Sequence, residues 1–496
     1  MKQYPHLYID GQWTEPIEPR DVELIDPTRE EPFARVTLGT AADVDRAVDA
    51  ARKAFESFST TSVGERIALI DRVIDVYESY ADEFSELIAR EVGIPVSNRA
   101  QVTGPADHMR VARDILRDYP FESRIGNAII RREPIGVCAL ISPWNWPIQT
   151  GVIKVIYGLA AGCTIVAKPS LNSAASGTLM AQVLHEANVP AGVFNLVNGT
   201  GRDVGDRLSR HPGVDMISFT GSTAAGKLVG AAAAGTVKKV SLELGGKSAN
   251  IVLPDADLEQ AARWNIQRCF FNAGQSCHAP SRMLVHENQM ERVVPFLIDE
   301  ARQFRLGDPL ESSTTMGPVV SAEQYKSIRD LIKTGLDEGA RLVTGGLERP
   351  ANLDRGYFVQ PTVFSDVTPE MTIAREEIFG PVLAVIPYRD EDEALRIAND
   401  SPYGLGGYVF GGPRTNPHRV VNRLRAGRIS YNGAPTDSYT PMGGYKQSGI
   451  GRSMGRFGLD EYLEVKSVYG FEDEACALPD LFGSTEEITS VSGVSE

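Results

Sequence analysis

The sequence is short of several things, and each shortage removes a class of protein. Cysteine occurs five times, at Cys138, Cys163, Cys269, Cys277 and Cys476. Scattered so widely, the cysteines make no disulfide framework, and no Cys-x-x-Cys pair suggests zinc, so a reducing compartment is expected. The seven histidines are also dispersed, with no His-Glu-x-x-His among them; no metal is expected. Lys and Arg number 50 against 65 Asp and Glu, a net charge of −15, and no basic block stands out. Nucleic acid and anionic membrane are therefore not expected partners. No apolar run is long enough to span a bilayer, and the opening Met1-Lys2-Gln3-Tyr4-Pro5-His6 does not read as a signal peptide. The expected setting is the cytoplasm. No internal repeat is found.

What remains is a chain of 496 residues, 42% hydrophobic, enough for two or three domains with ample core material. Apolar residues at Val44, Ala47, Val48, Ala51 and Phe55 have helical spacing over 43–58. The pattern continues over 67–92 until Gly93-Ile94-Pro95 stops it. The first hundred residues therefore read as mostly helix. From 128 onward the signals alternate. Strands are expected over 128–132, 137–141, 163–167, 193–197 and 216–219, with helices over 174–187, 203–209 and 224–233. A second alternating stretch begins near 248 and runs to about 430, with helix over 257–270, strand over 282–285 and helix over 290–304. This alternation predicts an α/β fold with a doubly wound parallel sheet. Beyond Phe471 the chain turns polar, and 472–496 reads as a mobile tail.

Three segments have the make-up of a reaction site. In Phe270-Phe271-Asn272-Ala273-Gly274-Gln275-Ser276-Cys277, a helix with an apolar face ends in a small-residue turn that presents one cysteine. A thiolate attacks carbonyl carbon well once its pKa falls below ~8.5; the plainer alternative is a buried small hydrophobe. In Leu242-Glu243-Leu244-Gly245-Gly246-Lys247-Ser248 a carboxylate with apolar neighbours precedes a Gly-Gly turn. That setting suits a general base, although a surface Glu beside a turn explains it alone. In Ile141-Ser142-Pro143-Trp144-Asn145-Trp146-Pro147, two prolines stiffen a loop after a strand. A rigid Asn145 amide there can donate to an oxyanion, or simply complete a turn between packed tryptophans. The turns Val197-Asn198-Gly199-Thr200-Gly201 and Phe219-Thr220-Gly221-Ser222 would let a pyrophosphate approach backbone N–H groups. No complete Gly-x-Gly-x-x-Gly accompanies them.

In order and spacing, the sequence resembles the aldehyde dehydrogenase superfamily, in its hydrolytic, non-acylating branch. The resemblance is carried by the loop 143–147, Lys168-Pro169-Ser170, Phe219-Thr220-Gly221-Ser222, Glu243 with Leu244-Gly245-Gly246-Lys247-Ser248, and Gly274-Gln275-Ser276-Cys277. It continues through Glu376-Glu377-Ile378-Phe379-Gly380-Pro381, Ser401-Pro402-Tyr403-Gly404-Leu405 and Gly443-Gly444-Tyr445-Lys446, over roughly 8–468. It implies oxidation of an aldehyde to a carboxylate with NAD or NADP as acceptor. Cys277 would be the nucleophile, Asn145 and the Cys277 backbone N–H the oxyanion donors, Glu243 the base, and Lys154 part of a proton path behind it. The cofactor site would draw on Ser142, Trp144, Lys168, Ser170, Leu171, Gly201, Gly205, Phe219, Thr220, Gly221, Ser222 and Leu244, with Glu377 holding the nicotinamide ribose and Phe379 beside it. The substrate funnel would include Trp146, Thr150, Ile153, Ser276, His278, Tyr439 and Met442.

The resemblance also implies a doubly wound cofactor domain (1–117 and 134–245), an α/β catalytic domain (246–445) and a small β oligomerisation flap with its connecting segment (118–133 and 446–471). A homodimer or homotetramer is expected. Three positions depart from the family pattern: Leu171-Asn172 where a Glu is common, His278 after the nucleophile, and Met442 before the last Gly-Gly. Leu171 suggests that NADP is accepted. No arginine is found among the expected funnel residues, which favours apolar or aromatic aldehydes over semialdehydes. The rivals are a CoA-acylating semialdehyde dehydrogenase, against which Glu243 argues, and a non-catalytic binding protein on the same scaffold, against which the intact set Cys277, Asn145, Glu243 and Glu377 argues. Since the tail lacks apolar periodicity, removing the residues after Glu472 is expected to leave activity and oligomeric state unchanged. Dissociation in size-exclusion chromatography, or lost turnover, would show that the tail docks on the enzyme.

Overall fold

The computed structural model describes residues 1–470; the expected tail at 472–496 lies outside the described residues. The opening segment differs from its sequence reading. Its first thirty-eight residues hold five strands and no helix. Leu7–Ile9 and Gln12–Thr14 form an antiparallel hairpin. Its two-residue turn, Asp10-Gly11, has both φ angles positive, at 52° and 74°, the geometry an Asp-Gly pair favours. Lys2–Tyr4, Arg20–Asp26 and Glu31–Leu38 make a separate three-stranded sheet. These strands are too short and too polar on one side to show as apolar runs.

Helices then follow where the spacing places them. Ala41–Phe58 is started by Asp43, whose carboxylate accepts the Thr40 N–H at 2.9 Å. The pattern over 67–92 is two helices, Val63–Ser79 and Ala81–Val92, separated at Tyr80. Ser62 and Glu65 cap the first reciprocally. Gly93, at φ +81°, ends the second in the left-handed conformation that glycine takes freely.

The alternating region builds the sheet that matters for the site. Its five parallel strands lie in the order Phe194–Leu196, Thr164–Lys168, Val137–Ile141, Met216–Thr220, Lys239–Glu243. In chain order this is third, second, first, fourth, fifth, the doubly wound arrangement, and ligands bind where the order reverses, beyond the carboxyl ends of the strands. The reversal falls between Val137–Ile141 and Met216–Thr220. The loops that leave these two strands carry Pro143-Trp144-Asn145 and Gly221-Ser222. Side chains alternate across the sheet: Cys138 and Leu140 join one core, Val137, Ala139 and Ile141 the other. Burying each such aliphatic side chain contributes roughly 1.5–3 kcal/mol, which holds the strand in register. The hairpin Leu7–Ile9/Gln12–Thr14 and the short strand Gly449–Ile450 extend the two edges to eight strands.

A second sheet of seven strands is parallel except at the edge strand Arg341–Thr344. Its centre is Ala249–Val252 beside Arg282–His286. Residues 244–248 link the fifth strand of the first sheet to this one, so Glu243 stands at the junction. Glu122–Ile125, Ala128–Pro134 and Leu463–Tyr469 form a small antiparallel sheet. No helix among the described residues is long and apolar enough to cross a membrane.

Candidate active site

Helix Leu258–Phe270 is capped by Asp257 and buries Leu258, Ala261, Ala262, Asn265, Ile266, Cys269 and Phe270. Past it the backbone takes three successive left-handed residues, Asn272 (φ 55°), Ala273 (φ 52°) and Gly274 (φ 74°). The two that are not glycine each cost on the order of 1–2 kcal/mol. Local hydrogen bonds offset this. Asn272 Nδ2 donates to the Asn145 carbonyl at 2.8 Å. Gln275, fully buried, donates through Nε2 to the Asn272 carbonyl and accepts the Val320 N–H at 2.9 Å. Gly274 cannot be replaced in place, because a Cβ there would lie 2.0 Å from the Gly380 carbonyl oxygen. The turn that presents Cys277 is thus pressed against the turn Phe379-Gly380-Pro381, which follows Glu377.

Cys277 opens onto a cavity of about 690 Å³ between the two large sheets. Asn145, Lys154, Glu243 and Glu377 line the same cavity. So do Trp144, Thr220, Gly221, Ser222, Leu244 and Phe379 from the expected cofactor set, and Trp146, Thr150, Ile153, Ser276, His278 and Met442 from the expected funnel. Asn145 Nδ2 donates to the Gln275 carbonyl at 2.9 Å. An amide has two such protons, so one is left for the cavity. Burial pushes the Cys277 thiol up to about 12, helped by the carboxylates of Glu243 and Glu377 and opposed by the backbone N–H groups of Cys277 and His278. The resting thiol therefore keeps its proton, unlike the lowered value a reactive cysteine suggests from sequence. Burial is the largest cause, and the two acids add to it.

His278 Nδ1 lies 3.8 Å from Sγ. Burial, with Arg428 and Arg268, holds the imidazole down at about 4, so it is a neutral wall of the cavity rather than a cation that tunes the thiolate. The Ser453 hydroxyl donates to Glu243 Oε1. Lys154 Nζ donates to Ser218 Oγ at 2.8 Å, and burial lowers the ammonium to about 8. Trp146 stacks on Phe271 and its Nε1 donates to Ser276 Oγ at 3.3 Å.

The residues fit a nicotinamide dinucleotide. Glu377 is raised to about 7 by burial and accepts the Gly246 N–H at 2.9 Å; as an acceptor it suits ribose hydroxyls. Trp144 and Phe379 meet edge to face at 5.5 Å. Ser222 Oγ accepts the Ala225 N–H at 3.3 Å and so starts helix Thr223–Ala233, leaving backbone donors at a helix start where an anion is favoured. Lys168 is buried, lowered to about 8, and its Nζ bonds only the Pro169 carbonyl at 3.1 Å, which leaves donors for a ribose or phosphate. Ser142 N donates to the Lys168 carbonyl, and a Cβ on Gly205 would lie 3.8 Å from the Lys168 chain. Ser142, Lys168 and Gly205 thus cluster outside the cavity. Ser170, Leu171 and Gly201 also lie outside its lining.

Two more expected residues lie outside the lining of this cavity: Phe219 is a core residue whose ring packs on Gly221, and Tyr439 is half exposed with its hydroxyl donating to Asp114 at 3.3 Å. One expectation needs correction: the cavity is not free of arginine, since Arg268 and Arg428 both line it. The sequence held a signal for both. Trp264, Arg268 and Phe271 recur at i, i+4 and i+7, one helical face, and Arg428 and Ser430 share one face of a strand; all five line the cavity. His108 and Tyr408 are further lining residues that sequence reasoning missed. Among the described residues no group of three or more His, Cys, Asp or Glu is placed to hold a metal.

Comparison with known proteins agrees with this geometry. A profile of the aldehyde dehydrogenase family matches residues 13–468. A 3-succinoylsemialdehyde-pyridine dehydrogenase from a Pseudomonas species is 50% identical over 475 residues, covering 95% of this chain and all of the relative. The crystal structure of aldehyde dehydrogenase C from Pseudomonas syringae, a cysteine-to-alanine variant complexed with NAD+ and octanal, superposes with a TM-score of 0.93 at 46% identity, covering 94% of this chain and 97% of that one. An aldehyde dehydrogenase of Mycobacterium tuberculosis complexed with NAD+ gives 0.92 at 38% identity, covering 95% and 100%. The chain belongs to the aldehyde dehydrogenase family and is an NAD-dependent enzyme that oxidises aldehydes to carboxylic acids.

The contact between the two turns generates a test. Gly274→Ala puts a methyl into the Gly380 carbonyl at a left-handed residue. It is expected to cost about 2–4 kcal/mol by denaturant unfolding and to slow hydride transfer sharply, because the segments bearing Cys277 and Glu377 are forced apart. Wild-type turnover in this variant would show that the contact does not set the site.

Proposed function

We propose that the covalent mechanism runs on Cys277, Asn145, Glu243 and Lys154, and the observation that carries this reading is their convergence with Glu377 on one cavity. Sγ loses its proton to cavity water and attacks the aldehyde carbon, giving a thiohemiacetal oxyanion. The second Asn145 N–H and the Cys277 backbone N–H hold its oxygen. A nicotinamide dinucleotide held by Trp144, Ser222, Glu377 and Phe379 would supply the hydride acceptor that turns the thiohemiacetal into a thioester on Sγ. Glu243 then takes a proton from water, the hydroxide adds to the thioester, and the carboxylic acid leaves as the thiolate is released. Ser453 steadies Glu243, and the Lys154–Ser218 pair offers the proton a route from behind it. Glu377 and Lys168 would hold the dinucleotide's two riboses.

The same reading assigns 1–117 and 134–245 to cofactor binding, 246–445 to catalysis, and 118–133 with 446–471 to a flap and its connection. The flap sheet exposes Ile125, Val465 and Tyr469, an apolar set that a second copy of the chain would cover in a homodimer or homotetramer. The relatives' named ligands, octanal and a pyridyl semialdehyde, support an elongated aldehyde as substrate.

Mixing the protein with an aldehyde and NAD(P), with and without CoA, tests the reaction class. Cys277→Ala is expected to abolish turnover while the protein still binds cofactor. Glu243→Gln is expected to keep a fast burst of about one reduced cofactor per site and lose steady turnover, since hydride transfer precedes the step that needs the base. Loss of the burst together with turnover would give Glu243 an earlier role.

The reading extends to NADP, alongside the NAD+ seen in the two related structures. Leu171 stands where a carboxylate would take hydrogen bonds from the adenosine ribose, each worth ~1.5–3 kcal/mol, and would repel a 2′-phosphate by roughly 4 kcal/mol at 4 Å and an effective dielectric near 20. Here Leu171 packs partly on the core, and Lys168 supplies a cation without a carboxylate bonded to it. Leu171→Glu is expected to move the kcat/KM ratio toward NAD by about one to two decades, taking ~1.4 kcal/mol per decade. No measurable NADP turnover by the wild type would defeat the argument.

A further inference from the structure

Arg268 and Arg428 differ from the other cations near them. On the same helix as Arg268, Arg263 pairs with both Glu259 and Glu300. Arg268, on the cavity side, makes no ion pair or side-chain hydrogen bond among the described residues, and neither does Arg428. The Nη2 of Arg428 is buried without any acceptor. A buried guanidinium donor left unsatisfied is costly and rare, and such groups call for an explanation. Both cations act on the imidazole of His278 and on the Tyr408 phenol, so they share one end of the cavity, next to the nucleophile's neighbour. Tyr408 donates to the His278 carbonyl at 2.7 Å and packs on Trp264 at 4.9 Å. The result is an apolar, aromatic wall with two unpaired positive charges in it. The acids of the cavity have partners of their own: Glu243 is held by Ser453, Glu377 by Gly246 and Asp107 by Arg110, although Glu243 also acts on Arg428 at longer range.

We propose that Arg428, with Arg268 beside it, is a specificity subsite for aldehydes that carry a carboxylate at the end remote from the aldehyde. The proposal rests on the reading that Cys277 takes the aldehyde carbon in this same cavity. A guanidinium offers two parallel donors to a carboxylate, and the apolar wall of Trp264 and Tyr408 accommodates the chain between the two ends. A ketone oxygen at the same place takes one of these bonds without the charge. A terminal methyl takes none and leaves the buried donor unpaired, which is how a polar site rejects an apolar analogue.

The test compares three aldehydes of equal chain length, ending in a carboxylate, a methyl ketone and a methyl group, at several lengths. In the wild type, kcat/KM is expected to favour the carboxylate over the methyl by about tenfold to hundredfold, with the ketone between them. Arg428→Gln should bring the carboxylate-to-methyl ratio toward one, Arg428→Lys should restore part of it, and Arg268→Gln should reduce it less. A wild type that oxidises the alkanal as well as the carboxylate, or that puts the ketone first, overturns the proposal, and this comparison stands even where a variant fails to fold. An Arg428→Gln loss equal for all three aldehydes also overturns it. Turnover without the preference sinks this inference alone; no turnover of any aldehyde sinks the covalent reading with it.

Discussion

The site depends on one steric fact, the contact between the backbone at Gly274 and the carbonyl of Gly380. The two segments come from different places in the second sheet's connections and carry different duties. One leads to Cys277 and the other follows Glu377. With a left-handed glycine and no side chain, they approach until backbone touches backbone, and the positions of a nucleophile and a cofactor ligand become a single measurement. Asn272 extends this constraint to the first sheet, because its amide donates to the Asn145 carbonyl. The strained residues Asn272 and Ala273 are held by that network, so part of the folding energy is stored where the geometry has to be most exact.

Charge is distributed in the cavity with similar economy. Burial, helped by the carboxylates of Glu243 and Glu377, pushes the thiol up. Arg268 and Arg428 lie around His278, whose imidazole is held down by burial and by these cations, and Arg428 also acts on Cys277 and Glu243.

What could be read in the sequence follows from how far each signal reaches. The parallel strands announced themselves as short apolar runs, because both faces of Val137–Ile141 are buried in separate cores and both therefore select for apolar residues. The site motifs were legible because their glycines and prolines are fixed by local backbone geometry. The opening strands were not, being three to eight residues long and partly exposed, although the Asp10-Gly11 turn was a usable clue. Glu243's partner Ser453 lies 210 positions away, and no local pattern encodes such a meeting. Tyr439 likewise meets Asp114, 325 positions away, while its neighbours Ser438 and Met442 line the cavity.

The arginines show where motif reading stops and physical reading continues. The segments that resemble the family carry no cation near the substrate, because Arg268 sits on helix Leu258–Phe270 and Arg428 on Arg428–Tyr431, an edge strand of the second sheet, outside every motif. Periodicity recovers both, once the question is which residues share the face that Trp264 and Ser430 turn to the cavity. The shared machinery is therefore specified by local motifs, whose backbone demands permit few residues. The individual character of the enzyme is specified by regular elements, where any residue fits the backbone and the choice of arginine answers only to what the cavity holds.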